Sequence, residues 1–225
     1  MLFLYDMMES LKELYRIGYG PSSSHTMGPR YAATEFKKKS PDATSFRVTL
    51  YGSLAATGKG HLTDFAINES LKPLPVEILW HPEITLPYHP NAMKFEALDN
   101  NRNLIRDWTV YSIGGGKITD GTPEEPRHLV YDMSKMDDIL NYVNERGFAF
   151  WEYVEQCEGK AIMDYLKEVW SVMQDAIHRG LEAEGILPGG LNIRRKAAAY
   201  YVKTKNFTGS LKKKTLTFAY ALAVS

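Results

Sequence analysis

Between Ala161 and Glu184 apolar residues return at steps of three and four: Ile162, Leu166, Val169, Trp170, Met173, Ile177 and Leu181. That period puts a single apolar stripe along a helix of several turns. Earlier in the chain the period is two, with Phe46, Val48 and Leu50 alternating with Arg47, Thr49 and Tyr51 as in a half-buried strand. One chain therefore carries two kinds of structure in succession. Further strands are expected over Val76–Trp80, Ala92–Leu98 and Leu104–Ile113, and helices over Arg30–Lys39, Met136–Glu145, Ala149–Cys157, Arg194–Lys203 and from Leu211 onward. A short amphipathic helix is expected within Met7–Tyr15. The first part lacks a regular β-α-β alternation, so the class is α+β: a mixed N-terminal domain followed by an α-helical one.

The boundary falls near residues 155 to 161, where Glu158-Gly159 separates two helical stretches. This divides the 225 residues into an α+β domain over 1–155 and a helical part over 161–225. Leu216–Val224 is apolar and stops at Ser225 without a glycine cap, which reads as a chain cut inside an element. A helical domain of about 65 residues with such an end is expected to be incomplete.

Charge excludes some functions. Lys and Arg number 27, Asp and Glu 27, so no net field draws nucleic acid or an acidic membrane. Eight basic and no acidic residues lie between Ile186 and Ser225, densest at Lys212, Lys213 and Lys214; such a run is expected to be a solvated face. No apolar run reaches the roughly 20 residues of a membrane helix. The start lacks the basic region and cleavage site of a signal peptide, so a cytoplasmic location is expected. The single cysteine, Cys157, allows no internal disulfide and by itself no zinc or iron-sulfur centre.

Two polar segments can carry chemistry. Ser22, Ser23, Ser24, His25 and Thr26 lie between Gly20-Pro21 and Gly28-Pro29, just before an expected helix. Four hydroxyls, an imidazole and the free N–H groups of a helix start suit a carboxylate or phosphate, and equally suit a capped loop. Thr57-Gly58-Lys59-Gly60-His61 resembles a phosphate loop in composition but lacks its spacing. A plain strand-to-helix turn is an equal reading. Gly114-Gly115-Gly116 fits a cradle or a hairpin. The six histidines, His25, His61, His81, His89, His128 and His178, with Asp64 or Glu83, have no metal-ligand spacing. His178, beside Ile177 on the long stripe, is expected to pack.

In order along the chain, Gly20-Pro21-Ser22-Ser23-Ser24-His25-Thr26-Met27-Gly28-Pro29, Leu50-Tyr51-Gly52-Ser53-Leu54-Ala55-Ala56-Thr57-Gly58-Lys59-Gly60-His61, His89-Pro90-Asn91-Ala92-Met93-Lys94-Phe95, Tyr111-Ser112-Ile113-Gly114-Gly115-Gly116 and Glu184-Gly185-Ile186-Leu187-Pro188-Gly189-Gly190-Leu191 resemble the iron-sulfur type L-serine dehydratases. The likeness spans nearly the whole chain. It implies a beta-chain α+β domain, here 1–155, and the start of an alpha-chain helical domain whose cluster cysteines lie beyond Ser225. The intact enzyme would hold a 4Fe-4S cluster, while this chain, expected to be a fragment inactive alone, would bind none. Its partners would be L-serine, the remainder of the alpha-chain domain and, with the long helix at a seam, a second copy.

The implied reaction is that of an L-serine ammonia-lyase. L-serine loses its Cα proton and hydroxide, and the aminoacrylate becomes an imine that hydrolyses to pyruvate and ammonia. By resemblance His25 and His61 would be catalytic, and Ser22, Ser23, Ser24, Thr26 and Lys59 would bind substrate. The rings of His25 and His61 are expected in one pocket although 36 residues separate them. The alternative is a domain that binds serine or another small carboxylate without activity of its own. A pyridoxal-phosphate dehydratase would need a Schiff-base lysine, and the context of Lys59 does not match one.

Overall fold

A computed structural model describes residues 7–20, 22–122, 129–188 and 192–205, together with Thr215 and Ala219. The chain divides into two compact units, one from residues within 1–17, 126–187 and 193–225, the other from 18–125 and 188–192. The first contributes β1 (Met8–Glu9) and α1 (Leu11–Leu14) before the second begins.

In the second unit the hydroxyl-rich segment forms a single π-helical turn, Ser23–Met27, that runs straight into α2 (Gly28–Lys38). Pro29 sits in the first turn of α2, where its missing N–H costs nothing. Then follow β2 (Ser45–Tyr51), α3 (Gly52–Thr57), α4 (Thr63–Leu71), β3 (Val76–His81), β4 (Ala92–Leu98), β5 (Leu104–Gly114) and β6 (Lys117–Thr119). The five strands make one mixed sheet in the order β3-β2-β4-β5-β6. β2 and β3 run parallel, because α3 and α4 carry the chain between them, and the remaining pairs are antiparallel. Helices over a mixed sheet make this unit α+β.

Period two in β2 has the expected effect: Phe46, Val48 and Leu50 are buried, while Arg47 pairs with Glu77 of β3 at 3.1 Å. α2 lays Ala32, Ala33 and Phe36 on the sheet. Phe36 lies 5.5 Å from the ring of Phe95 and 6.4 Å from that of Trp108, which knits α2 to β4 and β5. This core is the floor under the Ser23–Met27 turn.

The other unit resumes with β7 (Leu129–Tyr131), α5 (Met136–Arg146), α6 (Phe150–Glu158), α7 (Ala161–Glu182) and α8 (Ala197–Lys205). β1 pairs antiparallel with β7, so residues 8–9 are strand and only Leu11–Leu14 of the expected N-terminal helix is helical. Pairing with a partner more than 100 residues away overrides a local helical pattern. The Glu158 carboxylate joins these pieces, accepting from Ser10 Oγ at 2.7 Å, from the Leu11 N–H at 2.6 Å and from Tyr131 OH at 2.8 Å. As a result residues within 1–17 and 126–187 share one unit, a division that differs from a boundary near 155 to 161.

On α7, Ile162 is fully buried, but Trp170 and Met173 of the stripe are exposed. His178 is exposed too, which corrects its expected packing: the half-buried position is its neighbour Ile177, about 100° away around the helix. Of the helix expected from Leu211 only Thr215 and Ala219 are described, both helical; its other residues, residues 189–191 and His128 lie outside the described residues. No described helix is long and apolar enough to cross a membrane.

Candidate functional site

The π-helical turn is built by its own hydroxyls. Ser22, in extended conformation, accepts the His25 N–H on its Oγ at 3.2 Å, while its carbonyl takes the N–H groups of Thr26 and Met27 at 3.0 and 3.2 Å. The imidazole of His25 is thereby turned between two serines. Its Nδ1 lies 2.9 Å from Ser24 Oγ and its Nε2 lies 3.4 Å from Ser53 Oγ.

Ser53 arrives from the end of β2. There Gly52 adopts φ +50°, its N–H bonds the Ile84 carbonyl at 2.8 Å, and the Ser53 N–H bonds the Pro90 carbonyl at 3.0 Å. A β-carbon on Gly52 would lie 2.6 Å from the Pro90 oxygen. Glycine is the residue that tolerates both the left-handed backbone and this approach.

The second segment folds as successive tight turns, the Gly60, His61 and Leu62 N–H groups bonding the Thr57, Gly58 and Lys59 carbonyls. Leu62 then takes φ +59°, a strained conformation for a branched side chain, immediately before α4. Two threonines lock this turn to the first: Thr26 Oγ1 donates to the His61 carbonyl at 2.8 Å and Thr63 Oγ1 donates to the His25 carbonyl at 2.5 Å. Through this reciprocal pair the two imidazoles come to 4.9 Å between ring centroids, tilted by 50°.

Burial pushes the His25 imidazole below its ordinary value, and the neighbouring His61 pushes in the same direction against a smaller opposing effect of the Ser53 backbone. His25 is therefore neutral at neutral pH, with a ring nitrogen able to accept a proton.

The structure places the sequence-derived candidates unequally. His25, His61, Ser22 and Ser24 are half-buried and close together, and Ser23 is exposed on the same turn. Thr26 is buried and its hydroxyl is committed to His61, so it acts as a tether rather than as an open binding group. Lys59 is exposed, its Nζ 5.4 Å from the centroid of the Trp80 ring. His81 pairs with Glu83 at 2.8 Å, and His89 Nδ1 accepts the Asn91 N–H at 3.1 Å.

Ser53, Thr63, Asn91 and Ser112 join the site without having been singled out. Asn91 Nδ2 donates to the Ser112 carbonyl at 3.4 Å, leaving Asn91 Oδ1 and Ser112 Oγ buried without a partner. The signal for Ser53 was its place after Gly52 at a strand end. For Asn91 and Ser112 it was membership of two ordered motifs.

A 4Fe-4S cluster needs several thiolates, and this chain has one cysteine. Burial pushes the Cys157 thiol up, as do the nearby Asp132 and Glu158 charges, against the Tyr153 hydroxyl. The described residues contain no group of three His, Cys, Asp or Glu side chains able to hold a metal. This donor set does not fit such a cluster. The described side chains that meet around the two turns are imidazoles and hydroxyls.

The family model for the serine dehydratase beta chain matches residues 10–77 and 71–122. Among curated proteins, the L-serine dehydratase of Haemophilus influenzae is 32% identical over 246 residues, covering 86% of this chain and 54% of the relative. The L-serine dehydratase of Streptomyces coelicolor is 31% identical over 97% of this chain and 60% of its own length. L-serine dehydratase 1 of Escherichia coli is 32% identical over 85% of this chain and 53% of its own length. The chain thus spans about half the length of the curated relatives it matches. The match runs through both histidine turns and every strand of the five-stranded sheet, and on that ground the chain belongs to the serine dehydratase beta chain family.

Proposed function

We propose that this chain supplies the histidine-bearing part of an L-serine ammonia-lyase, which converts L-serine to pyruvate and ammonia. The supporting observation is the approach of His25 and His61 to 4.9 Å between ring centroids inside a collar of serine hydroxyls. Neutral His25 accepts the Cα proton of the substrate. After hydroxide leaves, the proton held on the histidine pair returns to Cβ as the aminoacrylate becomes the imine, and water then releases ammonia. Ser22, Ser23 and Ser24 offer hydroxyls to the substrate carboxylate, and Lys59 joins them by swinging off Trp80. Residues 161–225 begin the alpha-chain part, and the ligands of the cluster implied by resemblance are proposed to lie in that part's remainder.

The test is anaerobic pyruvate formation from L-serine by the protein combined with its alpha-chain part. His25→Asn and His61→Ala should each lower turnover by about 10²- to 10⁴-fold. Unchanged turnover in both variants would overturn the assignment. The single cysteine favours a second reading, in which the chain binds L-serine without turning it over. Tight serine binding with no pyruvate from the combined protein would select it.

A further inference from the structure

His25 and His61 stand 4.9 Å apart, and both ring nitrogens of His25 are met by uncharged hydroxyls, those of Ser24 and Ser53. Two imidazolium ions at that distance repel, so without a counter-charge the pair resists holding two protons, and burial disfavours the charged form of His25.

The charges on the elements around the Ser23–Met27 turn have other engagements. On α2, Arg30 lies over Tyr19 at 5.2 Å, Glu35 pairs with Lys38, and Lys37 donates to the Ser70 and Lys72 carbonyls; Tyr31 is half exposed. On α4, Asp64 accepts the Phe65 N–H and Glu69 pairs with Lys72. On β5, Asp107 lies 3.5 Å from Lys94, Arg106 stands opposite Ala97, and the ring of Tyr111 lies tilted against that of Tyr88 at 4.8 Å. Lys59, on the His61 turn, lies over Trp80. Among the described residues no carboxylate is hydrogen-bonded to either ring of the pair.

Building on the serine reading above, we propose that the ligand's own carboxylate is the missing counter-charge: L-serine binds with net uptake of a proton by the His25–His61 pair. The bound state then holds a carboxylate, one imidazolium and one neutral imidazole. The charged ring retains the carboxylate while the neutral ring stays available as proton acceptor. The lowered basicity of His25 in the free protein widens the change, since it favours the neutral form of that ring before the ligand arrives. Affinity consequently falls as pH rises, approaching about tenfold per unit above the value at which the bound pair titrates.

Calorimetric titration of the whole chain with L-serine at pH 7, in two buffers of different ionisation enthalpy, reads the proton directly. The expected result is a buffer-dependent heat equivalent to between about half and one proton taken up. L-serinamide, whose amide carries no charge in place of the carboxylate, should bind with no uptake. His61→Asn should reduce the uptake for L-serine, while the wild-type buffer comparison stands without it. L-serine binding with the same heat in both buffers would overturn the inference and leave the functional reading in place. No binding of L-serine, either by this chain or by the chain combined with its alpha-chain part, would overturn both.

Discussion

Gly28 and Ser112 approach so closely that a β-carbon on Gly28 would stand 2.2 Å from Ser112 Oγ and 3.0 Å from Ser112 Cβ. Ser112 is fully buried and cannot swing aside into solvent. Within most helices Gly→Ala is stabilising, by about 1 kcal/mol. Here Gly28→Ala should instead cost about 1–3 kcal/mol by overpacking. The Gly28→Ala, Ser112→Gly double variant should recover most of that loss. Chemical denaturation of the four proteins in the cycle checks it, and additive losses would mean that the two positions do not touch.

Glu158 carries the unit built from β1, β7 and the helices. Burial pushes its carboxyl up, but the bonds from Ser10, the Leu11 N–H and Tyr131, with the charge of Lys12, together hold it below its ordinary value of 4.5. A group depressed in the folded state stabilises the protein above its unfolded value and loses that effect as pH falls through the folded value. Glu158→Gln should therefore cost about 1–3 kcal/mol at pH 7, and the difference from wild type should shrink as pH falls below 4.5 and through the folded value. Equal stability of both proteins across this range would show that the three bonds contribute nothing.

The pH dependence of His25 runs through a different window. Its folded value lies below 6.5, so between the two values the unfolded chain binds more protons than the folded one. Stability contributed by neutral His25 is present above 6.5 and is lost as pH falls through the folded value. His25→Asn should flatten the stability profile over that interval. Urea denaturation of both proteins at pH 7.5 and 5.5 measures the slopes, and identical slopes would contradict the burial of the ring.

Much of the sheet was legible because alternation acts locally: Phe46, Val48 and Leu50 point one way whatever lies beyond them. β1 was not legible, since its partner β7 lies more than 100 residues away and no local pattern announces the pairing. The stripe of α7 was legible as a stripe, but periodicity does not say whether a neighbour covers Trp170 or Met173. For the site, the two histidine turns were visible as hydroxyl- and glycine-bearing segments next to helix starts. The locks between them were not. Thr26 on the His61 carbonyl and Thr63 on the His25 carbonyl are side chain to backbone bonds across 35 and 38 residues, and threonine in a turn announces no such partner. Ser53 was hidden in the same way, because its role depends on Gly52 being pinned against Pro90.

In the proposed enzyme His25 and His61 line a single site for L-serine. Imidazole proton-carbon NMR spectra of the six histidines, recorded while L-serine is titrated into the protein at constant pH, test it directly. The resonances of His25 and His61 should move together along one saturation curve. Those of His178, exposed on α7, and His81, paired with Glu83, should stay in place. Spectra in which L-serine leaves both His25 and His61 unmoved, or moves only one of them, would contradict the claim.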